Sequence, residues 1–242
     1  MRYGIFADIH GNLEALTAVL AALKNEKVDE YHCCGDVVGY GANPSECISQ
    51  IHKIKCICVA GNHDWAVAGK IVTDNFSSHA RSAVEWTCTH INPCDKEFLE
   101  SLDLVYRNNE FIVVHGTLDC PQEFDYLRSR DQAIRSFAVM NRRICFIGHS
   151  HVPGIFDEKE DGSLEVSKSY KIDIALGCRY IINVGSVGQP RDGNPEAAYG
   201  IFDSSVKTIE IKRVRYDIAS AKKKILDAGL PSELGSRLAS GR

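Results

Sequence analysis

Short apolar runs punctuate the first part of the chain, each closed by a glycine or a polar group: residues 3–7, 31–34, 56–60, 111–114 and 144–147. Runs of this length bounded by turn formers predict buried strands. Between the first of them the period changes to that of a helix. Leu13, Leu16, Leu20 and Leu23 share one face, and Asn12 stands where it can cap that helix. Pro44 suits the first turn of a second helix running to about His52. Strands alternating with such helices predict βαβ units and a largely parallel sheet. Residues 65–102 read as mostly helical, with segments at 82–90 and 96–102. After His151 the pattern changes: 154–160, an Asp161-Gly162 turn and 163–166 predict a β-hairpin, and further strands are expected at 180–184, 197–202 and 206–214. The second half is therefore richer in antiparallel strands. A helix over 219–228 closes the pattern, with Gly229 and Pro231 as stop signals. No repeat, low-complexity tract or linker divides residues 1–242, which predicts a single domain. Two mixed sheets packed face to face, with helices outside, accommodate every element.

Composition narrows the class. Hydrophobic residues make up 44% and charged residues 25%, as in an ordinary globular protein that buries a core without staples. A net charge of -4 offers no global basic field to nucleic acid or anionic lipid, so an anionic substrate needs a local positive centre. No secretory signal and no apolar stretch near the ~20 residues of a bilayer span are present, and a cytoplasmic location is expected. Of the ten cysteines, Cys33, Cys34, Cys56, Cys58 and Cys145 lie inside apolar runs, which predicts reduced core thiols rather than a disulfide framework. Cys56-Ile57-Cys58 is one residue short of the usual zinc pair.

The chemistry collects at the carboxyl ends of the apolar runs: Asp8 and His10, then Asp36, then Asn62 and His63, then His115, then His149 and His151. Ligands of open α/β sheets bind beyond the carboxyl ends of strands. Any one of these residues would serve equally as a turn residue or cap, and Asn62 and Asp64 suit helix caps; their common placement is what points to a site. Two further segments are candidates for anion contact. Gly11-Asn12 lies at a helix N-terminus, where free N–H groups favour an anion. The loop Gly185-Ser186-Val187-Gly188-Gln189-Pro190-Arg191 could bring Arg191 to a phosphate, although a solvated surface arginine is the simpler reading. Tyr126, Arg128 and Trp65 are candidate pocket walls, whereas His32, His52, His79 and His90 match no ligand motif. The mixed-charge stretch 157–173 reads as a solvated edge around the hairpin.

Asp8-x-His10, Gly35-Asp36, Gly61-Asn62-His63-Asp64, His115 and Gly148-His149-x-His151 resemble, in the same order, the motifs of the calcineurin-like metallophosphoesterase superfamily, and the Gly185-Ser186 loop resembles its small bacterial and archaeal branch. The resemblance implies a four-layer αββα sandwich and a dinuclear centre in which a metal-bridging hydroxide attacks a phosphodiester or phosphomonoester. Carried over, Asp8, His10, Asp36 and His151 would bind the first metal, and Asp36, Asn62, His115 and His149 the second. Such a donor set suits manganese first, then iron, zinc or nickel, better than calcium or magnesium. His63 would face the phosphoryl group as an acid, with Asp64 orienting its ring or merely capping a helix. The implied substrate is a small phosphorylated molecule such as a nucleotide. Val37-Val38-Gly39-Tyr40-Gly41 lacks the Asp-Arg-Gly of the protein phosphatases, which weakens serine/threonine protein phosphatase and dinucleoside polyphosphate hydrolase as alternatives. A non-catalytic binding scaffold of the same fold is an alternative of another class; the intact ligand set argues against it. Nuclease action is disfavoured by the acidic balance.

Overall fold

In the computed structural model, which describes residues 1–167 and 169–242, each of the five apolar runs contains a strand that ends within a few residues of its polar group. The chain runs through β1 (Arg2–Phe6), α1 (Leu13–Asn25), β2 (Glu30–Cys33), α2 (Pro44–Lys53), β3 (Ile57–Cys58), α3 (Asn62–Ala68), α4 (Ser78–His90) and α5 (Pro93–Ser101). It continues through β4 (Val105–Arg107), β5 (Phe111–Val114), α6 (Arg130–Val139), β6 (Ile144–Ile147), β7 (Gly154–Glu158), β8 (Leu164–Ser167) and β9 (Lys171–Asp173). It ends with β10 (Arg179–Asn183), β11 (Ala197–Asp203), β12 (Thr208–Val214), α7 (Ile218–Asp227) and α8 (Ser232–Leu238).

Two six-stranded mixed sheets result, ordered β3-β2-β1-β11-β12-β9 and β4-β5-β6-β10-β7-β8. The parallel pairs are β1 with β2, β2 with β3, β5 with β6 and β6 with β10; all other pairs, β1 with β11, β11 with β12, β12 with β9, β4 with β5, β10 with β7 and β7 with β8, are antiparallel. The period of two along the strands decides the layering. Phe111 and Val113 of β5, Phe146 of β6 and Ile182 of β10 join Tyr3, Ile5 and Phe202 in a core between the sheets. Ile112, Val114, Cys145 and Ile181, one residue out of phase, face Ala133 and Phe137 of α6 on the far side. Phe6 faces the opposite way from Ile5, into a third cluster with Leu16 and Leu23 of α1 and Ile48 and Ile51 of α2. This is the αββα sandwich. Each such side chain, taken from water to the core, contributes about 1.5–3 kcal/mol.

Several details differ from the sequence expectation. The buried face of α1 is Ala15, Leu16, Val19 and Leu23, so the small residues carry the close contact and Leu13 and Leu20 sit at its margin. Helix α3 starts at Asn62, ahead of Trp65. Val206 and Lys207 belong to the turn before β12. The charged stretch 157–173 is more than a solvated edge: β8 extends the second sheet, while β9 pairs with β12 and extends the first. Pro231 ends α7 as expected but also opens α8, as proline can at a helix start. Helix α6 carries a readable signal, the Ser129-x-x-Gln132 capping box. No helix among the described residues is long and apolar enough to cross a membrane. All ten cysteines are free thiols.

Candidate metal centre

Because the parallel strands point the same way, their carboxyl ends meet at one rim. Asp8 and His10 follow β1, Asp36 follows β2, Asn62 opens α3 after β3, His115 follows β5, and His149 and His151 follow β6. Five of them leave their strands in the left-handed region: Asp8 at φ 56°, His10 at 50°, Asp36 at 56°, His149 at 66° and His151 at 59°. That region costs a non-glycine residue about 1 kcal/mol or more and collects at functional sites. Bonds between the loops hold it in place. The Asp8, His10 and Gly11 amides donate to Gly35, Asp36 and Val37 carbonyls at 2.9–3.0 Å, and the Gly148 amide donates to the His115 carbonyl at 3.0 Å. Gly61 is required by close approach, since a Cβ there would overlap Asp36 Oδ1.

The side chains converge in two overlapping groups. Donor atoms of Asp8, His10 and His151 lie within 4.8 Å of one another, as do those of Asp36, His115 and His149, with all six residues buried. His63 forms a third such group with His10 and Asp36. Asn62 Oδ1 is 3.2 Å from His115 Nε2. Asp36 Oδ2 lies 3.5 Å from His10 Nε2 and 3.3 Å from His115 Nε2, between the two groups.

The outer ring nitrogens show how the imidazoles are set. Nδ1 of His10 is 3.0 Å from the Val38 carbonyl, Nδ1 of His115 is 2.7 Å from the Cys34 carbonyl, and Nδ1 of His151 is 2.6 Å from the Gln189 carbonyl. In neutral His10 and His151, donation to a carbonyl places the proton on Nδ1 and leaves the Nε2 lone pair facing the cluster, the tautomer a metal requires. His149 presents Nδ1 instead, 3.0 Å from His115 Nε2, and its ring is stacked on Tyr126 at 4.0 Å with Arg128 3.8 Å over the other face of Tyr126. These imidazole, carboxylate and amide donors fit transition-metal cations.

Electrostatics point the same way. Burial first, and then the neighbouring charge of Asp36, push Asp8 up to about 8, although His115 pulls it down. Asp36 is also raised by burial, yet His115 and His63 outweigh this and hold it well below the usual carboxylate range. Burial lowers His115 too, but the charge and hydrogen bond of Asp36 raise it to about 9. Burial pushes His10, His149 and His151 well below the ordinary histidine value, so they are neutral donors. Cationic charge is what two buried carboxylates side by side call for.

The remaining candidates separate. His63 lines a cavity of about 1010 Å³ over the cluster, its amide donates to Asp36 Oδ1 at 2.8 Å, and its buried Nδ1 has no partner among the described residues. The ring is seated against Gly39, at φ +89°, where a Cβ would overlap it. Burial lowers its pKa to about 4, with Asp36 pulling the other way. Asp64 does not reach that ring. Its carboxylate accepts from the amides of Asp36, Val37, Val38 and Gly61 at 2.8–3.2 Å, clamping the Asp36 loop and capping α3. Asn12 is absent from the cavity wall, and both ends of its amide are spent: Oδ1 accepts from the Ala15 amide at 3.1 Å and Nδ2 donates to the Gly188 carbonyl at 2.9 Å. These bonds join α1 to the 185–191 loop. Arg191 does line the cavity, donating to Tyr40 Oη at 3.3 Å and Gln189 Oε1 at 2.9 Å. Tyr126 lines it directly, and Trp65 packs edge-on to Phe124, which lines it. His79 and Arg237 complete part of the wall without having matched any motif. They come from α4 and α8, and nothing in a lone histidine or a C-terminal arginine signals that placement.

Comparison with known proteins follows this geometry. Residues 1–207 match the calcineurin-like phosphoesterase superfamily domain. The chain is 42% identical over 98% of its length to an uncharacterized Methanocaldococcus jannaschii protein, MJ0912, of which 97% is covered. It superimposes on a metallophosphoesterase from Sphaerobacter thermophilus at a TM-score of 0.88, with 37% identity and 100% of each chain covered. The fold is shared also by hypothetical protein PH1004 of Pyrococcus horikoshii, at a TM-score of 0.81 and 20% identity, covering 100% of this chain and 98% of that one. With strand order, motif order and overall match in agreement, the chain belongs to the calcineurin-like phosphoesterase superfamily.

Proposed function

We propose that this chain is a dinuclear-metal-dependent phosphoesterase acting on small phosphodiesters or phosphomonoesters. One observation carries the reading: Asp36 Oδ2 sits between His10 Nε2 at 3.5 Å and His115 Nε2 at 3.3 Å, so a single carboxylate oxygen serves both donor groups. Asp8, His10, Asp36 and His151 would hold one cation; Asp36, Asn62, His115 and His149 would hold the other. Manganese is the first choice, with iron, zinc or nickel as the other transition metals that such donors take. When bound, the cations supply positive charge against the phosphoryl oxygens and lower the pKa of water.

The chain's own side chains do the rest. Carbonyls of Val38, Cys34 and Gln189 fix the ring orientations. Asp64 fixes the loop that carries Asp36. His63 lines the cavity with its Nδ1 buried against Gly39, so its other ring nitrogen is the one available to stabilise charge on the phosphoryl group or pass a proton to the leaving oxygen. Arg191, in the cavity wall, offers a planar fork to an anionic part of the substrate away from the reacting centre. Phe76 and Phe124 give the cavity part of its apolar wall.

The test is a panel of aryl phosphodiesters, aryl phosphomonoesters and dinucleoside polyphosphates, assayed with manganese and with chelator. Turnover with manganese that chelator abolishes is expected for at least one class. Absence of turnover on all classes with every transition metal, alongside metal-independent capture of a protein partner, would establish the scaffold alternative.

A further inference from the structure

The cavity over the metal ligands has a wall that the proposed chemistry does not use. Helix α8 is seated by Leu234 and Leu238, both buried in a cluster with Tyr40 of the 37–41 loop, Ala80 of α4 and Ile225 of α7. That seat puts Arg237 in the cavity wall beside Arg191. The two are far apart in sequence, and the Gly193 amide donates to the Gly241 carbonyl at 2.9 Å, tying the loop after Arg191 to the segment after α8.

Neither guanidinium has a side-chain carboxylate within ion-pair reach among the described residues. Arg2, Arg135, Arg179, Arg213 and Arg215 do have such partners. The acid of α8, Glu233, faces His79 at 3.8 Å instead. Arg191 bonds only to neutral oxygens, and its buried Nε has no partner. Arg237 donates through Nε to the Arg242 carbonyl at 2.8 Å, leaving its terminal nitrogens without a bond among the described residues. Burial and the nearby Arg191 charge both disfavour the charged form of Arg237, the cost of setting two cations side by side. An anion between them removes that cost, and the guanidinium fork matches phosphate geometry.

Position decides which anion. Tyr40 is the common neighbour: its ring is 4.5 Å from the rings of His63 and His10, and Arg191 Cζ lies 5.6 Å from its centroid. Arg191 thus packs against the ring that borders the donor cluster, and Arg237 lines the same cavity. A phosphoryl group held by the metal ligands leaves this pair for a second anionic group farther along the same molecule. The cavity wall also carries the exposed acids Glu123 and Asp125, which repel an anion placed beside them. A volume of about 1010 Å³ accommodates a ligand much larger than one phosphate.

We infer that Arg237, with Arg191, is a specificity-determining contact for a second phosphate on the substrate, which makes the preferred substrates small molecules with two linked phosphates, such as a phosphoanhydride. The inference rests on the phosphoesterase reading for the reaction but not for the binding. The test uses the full-length manganese-loaded protein and two inorganic probes, orthophosphate and pyrophosphate, in calorimetric titration. Wild-type protein should bind pyrophosphate more tightly than orthophosphate. Arg237→Gln should weaken pyrophosphate about ten-fold or more, as expected for losing a charged hydrogen bond, and leave orthophosphate unchanged. Arg237→Lys should recover part of the loss, and thermal melting should show both variants folded. In turnover, Arg237→Gln should raise KM for a nucleoside diphosphate while leaving an aryl monophosphate unaffected. Equal binding of both probes by the wild type, or an equal effect of Arg237→Gln on both, overturns the inference. Pyrophosphate selectivity that depends on Arg237 in a protein that hydrolyses no ester would refute the phosphoesterase reading alone.

Discussion

At the scale of single residues, the centre separates side chains that hold charge from the one that is left free to move a proton. His10, His115 and His151 each spend a ring nitrogen on a carbonyl, whereas the buried Nδ1 of His63 is bonded to nothing among the described residues. The functions should separate in the same way. His63→Ala is expected to retain bound metal, measured by elemental analysis, and to lose roughly 10²–10⁴-fold in kcat, the usual contribution of a positioned acid. Turnover at the wild-type rate would remove His63 from the chemistry. Asp36→Ala, by contrast, should lose metal and turnover together, because that carboxylate adjoins both donor groups.

At the scale of elements, the loop after β2 depends on a residue outside it. Asp64 satisfies four buried backbone amides, on Asp36, Val37, Val38 and Gly61. Asp64→Ala strands these donors at about 1–3 kcal/mol each where water cannot reach. A loss of about 3 kcal/mol or more is expected, read as a fall in Tm of roughly 6–12 °C in a chain of this size, with weaker metal binding in titration. A melt unchanged within a degree or so would mean that the loop holds itself. This bond pattern marks what could be read in advance. The strands, their carboxyl-end residues and the order of the motifs are written in local hydrophobic runs and in side-chain chemistry. The tasks of Asp64 and Asn12 are not, because a carboxylate or amide in a loop looks the same whether it faces a ring, a ligand or a backbone amide. Neither is the left-handed backbone at Asp8 or His149, which bonds between loops distant in sequence impose. Strand β9 and helix α8 were obscure for a related reason: each is short, and its pairing partner or apolar seat lies elsewhere in the chain.

At the scale of the whole molecule, the buried ionisable groups link stability to pH and to cations. Burial raises Asp64 to about 7, with Asp36 adding to it, and Asp8 and His115 are raised to about 8 and about 9. A group whose proton is held more tightly in the folded than in the unfolded chain contributes stability below its unfolded pKa and loses it as pH rises through the folded value. The buried neutral His10, His149 and His151 act in the opposite sense, below the ordinary histidine value. Metal-free protein should therefore melt lower at about pH 8.5 than at about pH 7. Manganese should remove that fall, because ionised carboxylates then face cations, and at a hundred times Kd it should add about 2.7 kcal/mol. Calorimetric melts with chelator and with manganese at both pH values make the comparison; a metal-free melt that rises with pH would count against this account.

The candidate ligands arrive from both layers of the sandwich, Asp8, His10, Asp36 and Asn62 from the first sheet and His115, His149 and His151 from the second. Sliding one layer past its neighbour by a single pleat would pull the donors out of reach while leaving each layer's own ladder intact. Cation affinity is thus a gauge of interlayer alignment, and a substitution among Phe111, Phe146 and Phe202, far from the rim, should register there before it registers in strand content.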